Sequence, residues 1–245
     1  QNNSVETKVM NSYYGSDVNT PINLKNEKTI FSDESTIETA YQYAYEKGNQ
    51  KLIDANMVGI PLDTEVKKDG KTISKAETKY DNPVNLLPSS VLSYNMQSNT
   101  PSTEVTYDIY DGKRNLIQYT TKAGVSTSII WGYNQTQPIA KIEGAKLSDI
   151  TQTLINSIVN ASDDTNANYS ESTLLNQLDA FRIALPNFQI STYTYKPLIG
   201  VTTITPPSGI REYYFYDTAN RLESVKTNEN GVLTTLKEYQ YHYKP

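Results

Sequence analysis

Cysteine and histidine, two residue types that enzymes often use as nucleophiles, general bases or metal ligands, are scarce in this chain. Its 245 residues include no cysteine and a single histidine, His242, which excludes thiolate chemistry and sulfur-ligated zinc. His242 lies in a tyrosine-rich terminal segment, and the chain has no Gly-x-Ser-x-Gly motif, so we interpret it as a solvent-facing strand residue and not as part of a triad. No calcium-loop or phosphate-binding glycine motif is found. We expect no catalytic residue, no cofactor and no metal site.

Pairs of carboxylates are the remaining groups that could do chemistry, because glycoside hydrolysis uses two of them on either side of the scissile bond. The 27 acidic residues supply many pairs, for example Asp108 with Asp111 or Asp217 with Glu223. Their positions also follow an internal repeat, described below, in which carboxylates cap turns or lie on a solvated face. We favour that interpretation, and glycoside hydrolysis is the third hypothesis.

Aromatic side chains are the candidates for a binding surface. The chain has 20 tyrosines against 4 phenylalanines and one tryptophan, and exposed rows of such rings can stack against sugars. Similar rows arise from cross-strand packing, which we favour. Carbohydrate binding or adhesion is the alternative hypothesis, and its candidate stacking residues are Trp131, Tyr133, Tyr239, Tyr241 and Tyr243.

Composition excludes two classes of partner. The net charge of −5 and the isoelectric point near 5.0 leave no basic footprint for phosphates, so no nucleic-acid partner is expected. No stretch approaches the roughly 20 apolar residues of a transmembrane helix, and no signal peptide is found. If the protein is exported, we expect the sequence to be a mature or excised form.

The tyrosine-rich composition and period-two patterns predict β-structure for most of the chain. Residues 1–38 form a polar N-terminal segment, expected to be irregular or an edge strand. Tyr41, Tyr43 and Tyr45 are predicted on one face of a strand, followed by a helical turn over residues 49–56. Asp69-Gly70 predicts a two-residue hairpin. The flanking strands are predicted over residues 57–66 and 72–80, and residues 86–94 as a loop entering an edge strand.

Between residues 146 and 186 the hydrophobic period changes to that of a helix, which predicts an αα-hairpin insertion. Ser148 is the expected N-cap of the first helix, and Ser170 or Ser172 opens the second. Pro186 ends it. The two apolar stripes are Leu147, Ile150, Leu154 and Ile158, and then Leu174, Leu178, Phe181 and Leu185.

After the helices the strand signal resumes. The predicted strands begin with an alternation from Ile190 to Tyr195, and continue over residues 200–205, 210–216, 222–227 and 232–243. The organisation is therefore a polar segment (1–38), a β-region (39–145), the helical hairpin (146–186) and a second β-region (187–245), which we expect to form one structural unit.

The two β-regions share an internal repeat. Tyr110-Asp111 and Tyr216-Asp217 are each followed, after four further residues, by a leucine, Leu116 or Leu222. Each tyrosine ends an aromatic strand, and a turn glycine with a further strand follows: Gly124 in the first copy and Gly231 in the second. The Asp carboxylate is expected to accept backbone N–H groups in the turn.

The second copy, Tyr216-Asp217-Thr-Ala-Asn220-Arg221-Leu222, resembles the Tyr-Asp-x-x-Gly-Arg-Leu signature of YD repeats in RHS proteins, with asparagine in place of glycine. Asparagine tolerates the left-handed conformation. Arg114, at the equivalent position, fits less well, which leaves the type of the first turn open. A weaker third copy is suggested at Tyr80-Asp81, where Pro83 disrupts the turn.

Longer stretches, residues 128–143 and 192–217, are similar to RHS-like proteins of Bacteroidetes, and the resemblance covers roughly residues 41–243. It implies a mainly β fold: an antiparallel sheet that spirals into part of a β-shell, here with the αα-hairpin inserted. It also implies a non-catalytic scaffold of a bacterial secreted or cell-surface protein. The expected partners are flanking repeats of the same polypeptide or another protein, with surface glycans as the alternative.

Overall fold

The structure is a computed structural model that describes residues 7–15, 21–164, 171–229 and 231–241. These residues are mainly β, with fifteen strands whose hydrogen-bonded order follows the chain order. The strands are β1 (Lys8–Tyr13), β2 (Leu24–Ile30), β3 (Thr36–Gln42), β4 (Asp63–Lys68), β5 (Lys71–Lys79), β6 (Ser90–Tyr94), β7 (Pro101–Tyr110), β8 (Leu116–Thr121), β9 (Ser126–Gly132), β10 (Gln137–Glu143), β11 (Gln189–Lys196), β12 (Gly200–Thr205), β13 (Glu212–Tyr216), β14 (Leu222–Glu229) and β15 (Val232–Glu238).

The chain divides into two compact units, Gln1–Tyr107 and Asp108–Pro245, and the boundary falls inside β7. In the first unit, helix α1 (Gln50–Asp54) lies between β3 and β4. Asn49 caps α1, because its side chain accepts a hydrogen bond from the Leu52 amide. Leu52 is fully buried and forms a small core with Ala44 and Leu62. The helical turn predicted over residues 49–56 is confirmed.

The Asp69-Gly70 hairpin is also confirmed. Both residues have positive φ values, 49° and 77°, as a type I′ turn requires. Lys68 pairs with Lys71 across the turn, so β4 and β5 are joined by two residues. Sequence alone therefore located this connection correctly.

Four predictions for the first unit are wrong in whole or in part. The sequence predicts an irregular or edge strand in residues 1–38; among the described residues β1 is an edge strand, but β2 pairs with strands on both of its sides. The strand entered by residues 86–94 is also predicted at an edge, but β6 pairs with both β5 and β7. The strand predicted from residue 57 begins only at Asp63. Finally, β3 ends at Gln42, so of the three tyrosines only Tyr41 lies in the strand. The chain turns after Tyr43 because the Lys47 amide donates to the Tyr43 carbonyl and Gly48 adopts φ 62°.

The helical hairpin of the second unit is confirmed. Helix α2 (Gln152–Asp163) packs against α3 (Glu171–Ala184). The apolar stripe of α3 faces the core, with Leu174, Leu178 and Phe181 at most 1% exposed. The core also includes buried residues from the sheet, notably Ile130, Ile139, Ile142 and Ile190.

The starts of the helices differ from the prediction. Ser148 lies in a 3₁₀ turn (Leu147–Asp149), and Thr151 occupies the N-cap position of α2. The physical reason is the extended backbone of Ile150, which separates the two elements. Ser170 lies outside the described residues, as do residues 165–169 of the connection between the two helices.

The strands that follow the helices match the predicted pattern closely. In β11 the buried positions alternate, with Ile190, Thr192 and Thr194 facing inward. The bounds of β12 are those predicted. The last strand is shorter than expected, because β15 ends at Glu238 and leaves Tyr239 and Tyr241 beyond it. His242 and Tyr243 lie outside the described residues.

Candidate functional site

The two Tyr-Asp copies form hairpin corners with the same backbone hydrogen bonds. Tyr110 and Tyr216 each end a strand. In the first corner the Asp111 amide donates to the Asn115 carbonyl at 2.9 Å, and the Arg114 amide donates to the Asp111 carbonyl at 3.0 Å. In the second, the Asp217 amide donates to the Arg221 carbonyl and the Asn220 amide to the Asp217 carbonyl, both at 2.9 Å.

The two aspartates act in the same way. Asp111 Oδ1 accepts from the amides of Lys113 and Asn115, each at 2.8 Å. Asp217 Oδ1 accepts from the amides of Ala219 and Arg221 at 2.8 and 2.9 Å. In each corner the other carboxylate oxygen accepts from the side chain four residues later: Asn115 Nδ2 to Asp111 Oδ2, and Arg221 Nε to Asp217 Oδ2. Each carboxylate thus accepts two backbone amides and one side-chain donor of its own turn.

The fourth residue after each tyrosine adopts the left-handed conformation. Arg114 has φ 70° and Asn220 has φ 60°. The question that the sequence left open at Arg114 is therefore resolved, because both corners have the same turn type. The repeat glycines Gly124 and Gly231 also have positive φ values, 77° and 85°.

Each corner receives a further hydrogen bond from an aromatic side chain. Trp131 Nε1 donates to the carbonyl of Leu116 at 3.0 Å. The Tyr241 hydroxyl donates to the carbonyl of Leu222 at 2.8 Å, and the Arg221 guanidinium lies 4.5 Å from the centre of its ring. Leu116 and Leu222 are the equivalent leucines of the repeat. The aromatic donor therefore belongs to the repeat unit, although the repeat defined from the sequence by its Tyr, Asp, Leu and Gly residues did not include it.

Tyr216 illustrates how the repeat tyrosine packs. Its ring lies against Gly200 of β12, and its hydroxyl donates to the Val201 carbonyl at 2.8 Å. A Cβ atom at position 200 would collide with this hydroxyl. Gly200 is therefore required by the close approach of the ring.

The third Tyr-Asp sequence is built differently. The Asp81 amide donates to Ser89 Oγ at 3.1 Å, and the turn is capped by Asn82, whose Oδ1 accepts from the Val84 amide. Lys51 Nζ holds this loop by donating to three carbonyls, those of Tyr80, Asn82 and Asn85. Tyr80-Asp81 therefore lacks the corner geometry of the other two copies.

Three of the four carboxylates considered for glycoside hydrolysis, Asp108, Asp111 and Asp217, are engaged in structural contacts. Asp108 Oδ2 accepts from Gln118 Nε2 and Thr120 Oγ1, at 3.1 and 2.7 Å. The backbone amide and then the side chain of Arg221 hold the pKa of Asp217 below its usual value. A general acid in a glycosidase needs a raised pKa, so this shift has the opposite sign.

The four candidate stacking residues that the structure describes fall into two groups, one in each corner region. Beside Trp131, the ring of Tyr133 meets that of Tyr195 edge to face, at 5.7 Å and 88°. The hydroxyl of Tyr133 accepts from the Tyr195 amide at 2.9 Å. Tyr239 and Tyr241 are 40% and 45% exposed and lie next to the second corner.

The segment after Trp131 is unusual in its backbone. Tyr133, Asn134 and Gln135 all have positive φ values, 51°, 57° and 62°. Ser162 Oγ accepts from the Tyr133 amide and Asp163 Oδ1 from the Asn134 amide, so the end of α2 holds this left-handed turn in place. Asn115 Nδ2 of the first corner donates to the Gln135 carbonyl at 2.9 Å.

A cleft of about 280 Å³ opens beside the first corner, between α2 and strands β8 and β9. Trp131, Gln135, Gln152 and Asn156 are among the residues that line it. Its apolar lining consists of Ile117, Ile129, Ile130, Leu147, Ile155 and Val159. Sequence reasoning singled out Trp131 but missed this cleft, because the helix that completes it is distant in sequence from β8.

A buried ionic cluster in the first unit was also missed. Asp63 and Glu77 face each other across β4 and β5, and each is only 4% exposed. Lys47 Nζ lies 2.8 Å from Glu77 and 3.4 Å from Asp63, which balances the paired carboxylates. Lys75 approaches Asp63 and Lys79 approaches Glu77, at 3.5 and 2.9 Å.

The cluster lowers the pKa of Glu77 strongly. Burial alone would raise it, but hydrogen bonds from Lys47, the Tyr94 hydroxyl and Lys79 lower the pKa of Glu77 to about 2. The same contact with Glu77 is the main reason why the pKa of Tyr94 is raised. Alternating charges along residues 63–79 were the only sequence signal of this cluster.

In structure, the chain is similar to part of the TcdB2-TccC3 assemblies. It aligns with TcdB2-TccC3-Cdc42 at a TM-score of 0.42 and 12% identity, covering 89% of this chain and 12% of that chain. For TcdB2-TccC3 without the hypervariable C-terminal region the TM-score is 0.42 and the identity 12%, covering 94% and 12%. For the Photorhabdus luminescens Tc holotoxin pore with a mutated TccC3 the values are 0.38, 12%, 89% and 12%. The chain thus spans about 12% of the length of these chains.

The sequence matches no protein-family model and no curated protein. None of the helices in the described ranges is long and apolar enough to cross a bilayer. Within the same ranges, no group of three or more histidine, aspartate or glutamate side chains is arranged to hold a metal ion.

Proposed function

We propose that this chain is a non-catalytic segment of a YD/RHS-type β-scaffold, one stretch of wall in a larger β-shell. The observation that carries the proposal is the identity of the hydrogen bonds in the two Tyr-Asp corners. A unit that recurs with the same internal bonds extends a sheet by repetition, as structural repeats do. The sequence resemblance to RHS repeats supports the same conclusion.

The polar groups of the corners support a structural role. Asp111 and Asp217 direct their carboxylates into their own turns, and Trp131 and Tyr241 donate to main-chain carbonyls. A catalytic group needs a side chain that is free to contact substrate. These side chains instead hold the backbone in one shape.

The free edge of β15 supports the proposed partners. Every residue of β15 is exposed, including Val232 at 66% and Leu236 at 49%, and within the described residues β15 pairs only with β14. An apolar, unpaired strand edge is a template for another strand. The partner that fits is a flanking repeat of the same polypeptide or of another protein.

We infer that the parent protein is bacterial and is secreted or held at the cell surface, where its shell encloses cargo or contacts other surfaces. This part of the proposal depends on the resemblance to RHS repeats, and the complete lack of cysteine is compatible with either side of the membrane. It is tested by protease treatment of intact cells and by immunodetection in the medium. Protein found only inside the cell would contradict it.

The scaffold itself is tested by cryo-electron microscopy of the full natural polypeptide. We expect the outer edge of β15 to be hydrogen-bonded to a further strand, with Val232 and Leu236 covered. An edge that stays open to solvent in the full polypeptide would overturn the proposal. Turnover of a glycan substrate that is abolished by a single substitution such as Asp108→Asn would favour the glycosidase hypothesis instead.

A further inference from the structure

A second cleft lies in the first unit, where β5 ends beside helix α1. Its volume is about 430 Å³, within the range of about 300–1,000 Å³ that is typical of small-ligand sites. Three lysines line it, Lys47, Lys51 and Lys79, against two carboxylates, Glu77 and Asp81. The lining thus has one positive charge in excess, although the chain as a whole has a net charge of −5.

Lys47 and Lys79 converge on a single oxygen atom. Glu77 Oε1 lies 2.8 Å from Lys47 Nζ and 2.9 Å from Lys79 Nζ, so the two ammonium groups are immediate neighbours. Their side chains are 26% and 33% exposed, whereas that of Glu77 is only 5% exposed. An anion that enters from solvent can therefore contact both ammonium groups from the side away from Glu77.

The carboxylates of the ionic cluster do not compensate all of its lysines. Glu77 is ionised at neutral pH, since its pKa is about 2, and its second oxygen accepts from the Tyr94 hydroxyl at 2.7 Å. Asp63 Oδ2 is shared between Lys47 and Lys75, at 3.4 and 3.5 Å. Three lysines thus surround two buried carboxylates, and one positive charge is left over.

The two converging ammonium groups keep hydrogen-bond donors for a ligand. An ammonium group has three N–H bonds to donate. Among the described residues, Lys79 donates to Glu77 alone, and Lys47 donates to Glu77 and Asp63. Lys79 therefore keeps two N–H groups and Lys47 keeps one.

These donors fit a carboxylate better than a phosphate group. A carboxylate has a single charge and two acceptor oxygens, which the excess charge and the remaining N–H groups can satisfy. A phosphate monoester has a charge of about −1.5 to −2 at pH 7 and three acceptor oxygens. Part of that charge would lose its hydration without gaining a counter-charge.

Lys51 shapes the cleft without competing for the ligand. Its Nζ donates to the carbonyls of Tyr80, Asn82 and Asn85, at 2.7, 2.6 and 3.0 Å, which uses all three N–H groups. The lysine therefore holds the loop after β5 in place and adds a positive charge to the wall. A wall that is fixed in advance loses little conformational freedom when a ligand enters.

We propose that this cleft binds a carboxylate group, in a free organic acid or in an acidic side chain of a peptide. Lys47 and Lys79 donate to the bound carboxylate, and Glu77 positions their ammonium groups. If the lysines served only to neutralise Asp63 and Glu77, two of them would be enough. The site is separate from the Tyr-Asp corners and does not depend on the proposed scaffold role.

An NMR titration of the full chain tests the proposal. The backbone amides of residues 47–51 and 77–81 are followed while propionate, N-acetylglutamic acid α-amide or inorganic phosphate is added, with N-acetylglutamine amide as the uncharged control. We expect saturable shifts with at least one carboxylate, none with the control, and a lower affinity as the salt concentration rises. Saturation by propionate indicates a free organic acid, and saturation by the glutamate derivative alone indicates a peptide side chain.

Two substitutions in the cluster should change the affinity in opposite directions. Lys79→Gln removes a charge-assisted hydrogen bond and should weaken binding by about tenfold. Glu77→Gln removes the internal carboxylate that competes for the same two lysines, and should strengthen binding severalfold. Lys71→Gln is the matched control, because Lys71 is an exposed lysine of β5 that does not line the cleft, and it should leave the affinity unchanged.

The proposal is overturned if neither carboxylate saturates, or if Lys79→Gln binds as tightly as the parent chain. Tighter binding of phosphate than of both carboxylates would also overturn it. Should Lys79→Gln fail to fold, the parent chain decides in its place, and an affinity that does not change with salt concentration contradicts the proposal.

Discussion

The indole of Trp131 donates a hydrogen bond to the carbonyl oxygen of Leu116. In the second corner the Tyr241 hydroxyl makes the corresponding bond to Leu222. Two different aromatic residues, at different distances along the chain, thus reach the same point of the repeat. The two copies share the carbonyl that accepts the bond and differ in the residue that donates it.

The two corner aspartates should contribute measurably to the free energy of unfolding. Asp217→Ala and Asp111→Ala each leave two backbone amides without their acceptor, and the expected cost is about 1–2 kcal/mol. Urea unfolding followed by circular dichroism measures it. Asp81→Ala is the control, because that aspartate also follows a tyrosine but does not form the corner, and a change of less than about 0.5 kcal/mol is expected.

Arg114 should be replaceable with a gain in stability. It adopts φ 70°, which costs a residue with a side chain more than it costs glycine. Arg114→Gly is expected to raise the free energy of unfolding by about 0.5–1 kcal/mol. Arg114→Ala keeps the conformational cost and should show no gain. A destabilised Arg114→Gly variant would mean that the corner does not hold this residue in the left-handed region.

Gly132 should tolerate no side chain. A Cβ atom there would overlap Ser162 Oγ of α2 and both terminal branches of Ile139. Gly132→Ala is expected to destabilise the second unit by about 1–3 kcal/mol, because α2 must shift away from the sheet. Gly112→Ala, where the added atom meets nothing within 4 Å, is the neutral control in thermal unfolding.

The first unit should lose stability in acid. The pKa of Glu77 falls from 4.5 in the unfolded chain to about 2 in the fold. Its contribution to the free energy of unfolding is therefore present above pH 4.5 and disappears as the pH drops toward 2. A shift of this size corresponds to ~3 kcal/mol in the free energy of unfolding at neutral pH. Unfolding measured between pH 7 and pH 2 should show this loss.

Glu77→Gln tests whether the carboxylate is responsible. The variant should be less stable at pH 7, because Lys47 and Lys79 lose their partner. Its free energy of unfolding should also change less with pH below 4.5. If the variant loses as much stability in acid as the parent chain, Glu77 is not the source of that loss.

The features that could be predicted from sequence were those fixed by local chemistry. The Asp69-Gly70 turn, the alternation in β11 and the apolar stripe of α3 depend on neighbours along the chain, and all three were found. The Tyr-Asp frame was visible because its spacing is short and repeated.

The features that were missed depend on distant partners. Tyr43 fits a strand by its spacing, but the Lys47 amide and Gly48 turn the chain there. The Asp63–Glu77 pair and the cleft at Trp131 arise only when strands and a helix come together. The left-handed turn that begins at Tyr133 could not be predicted from a glycine, because none of its residues is glycine. Contacts from α2 stabilise it instead.

Amide hydrogen exchange at the two corners tests the central claim most directly. The amides of Lys113 and Asn115, and those of Ala219 and Arg221, should all be protected in the parent chain. Asp111→Ala should expose only the first pair and Asp217→Ala only the second. Free exchange in one corner of the parent chain, with protection in the other, would show that the corners are not copies of one unit.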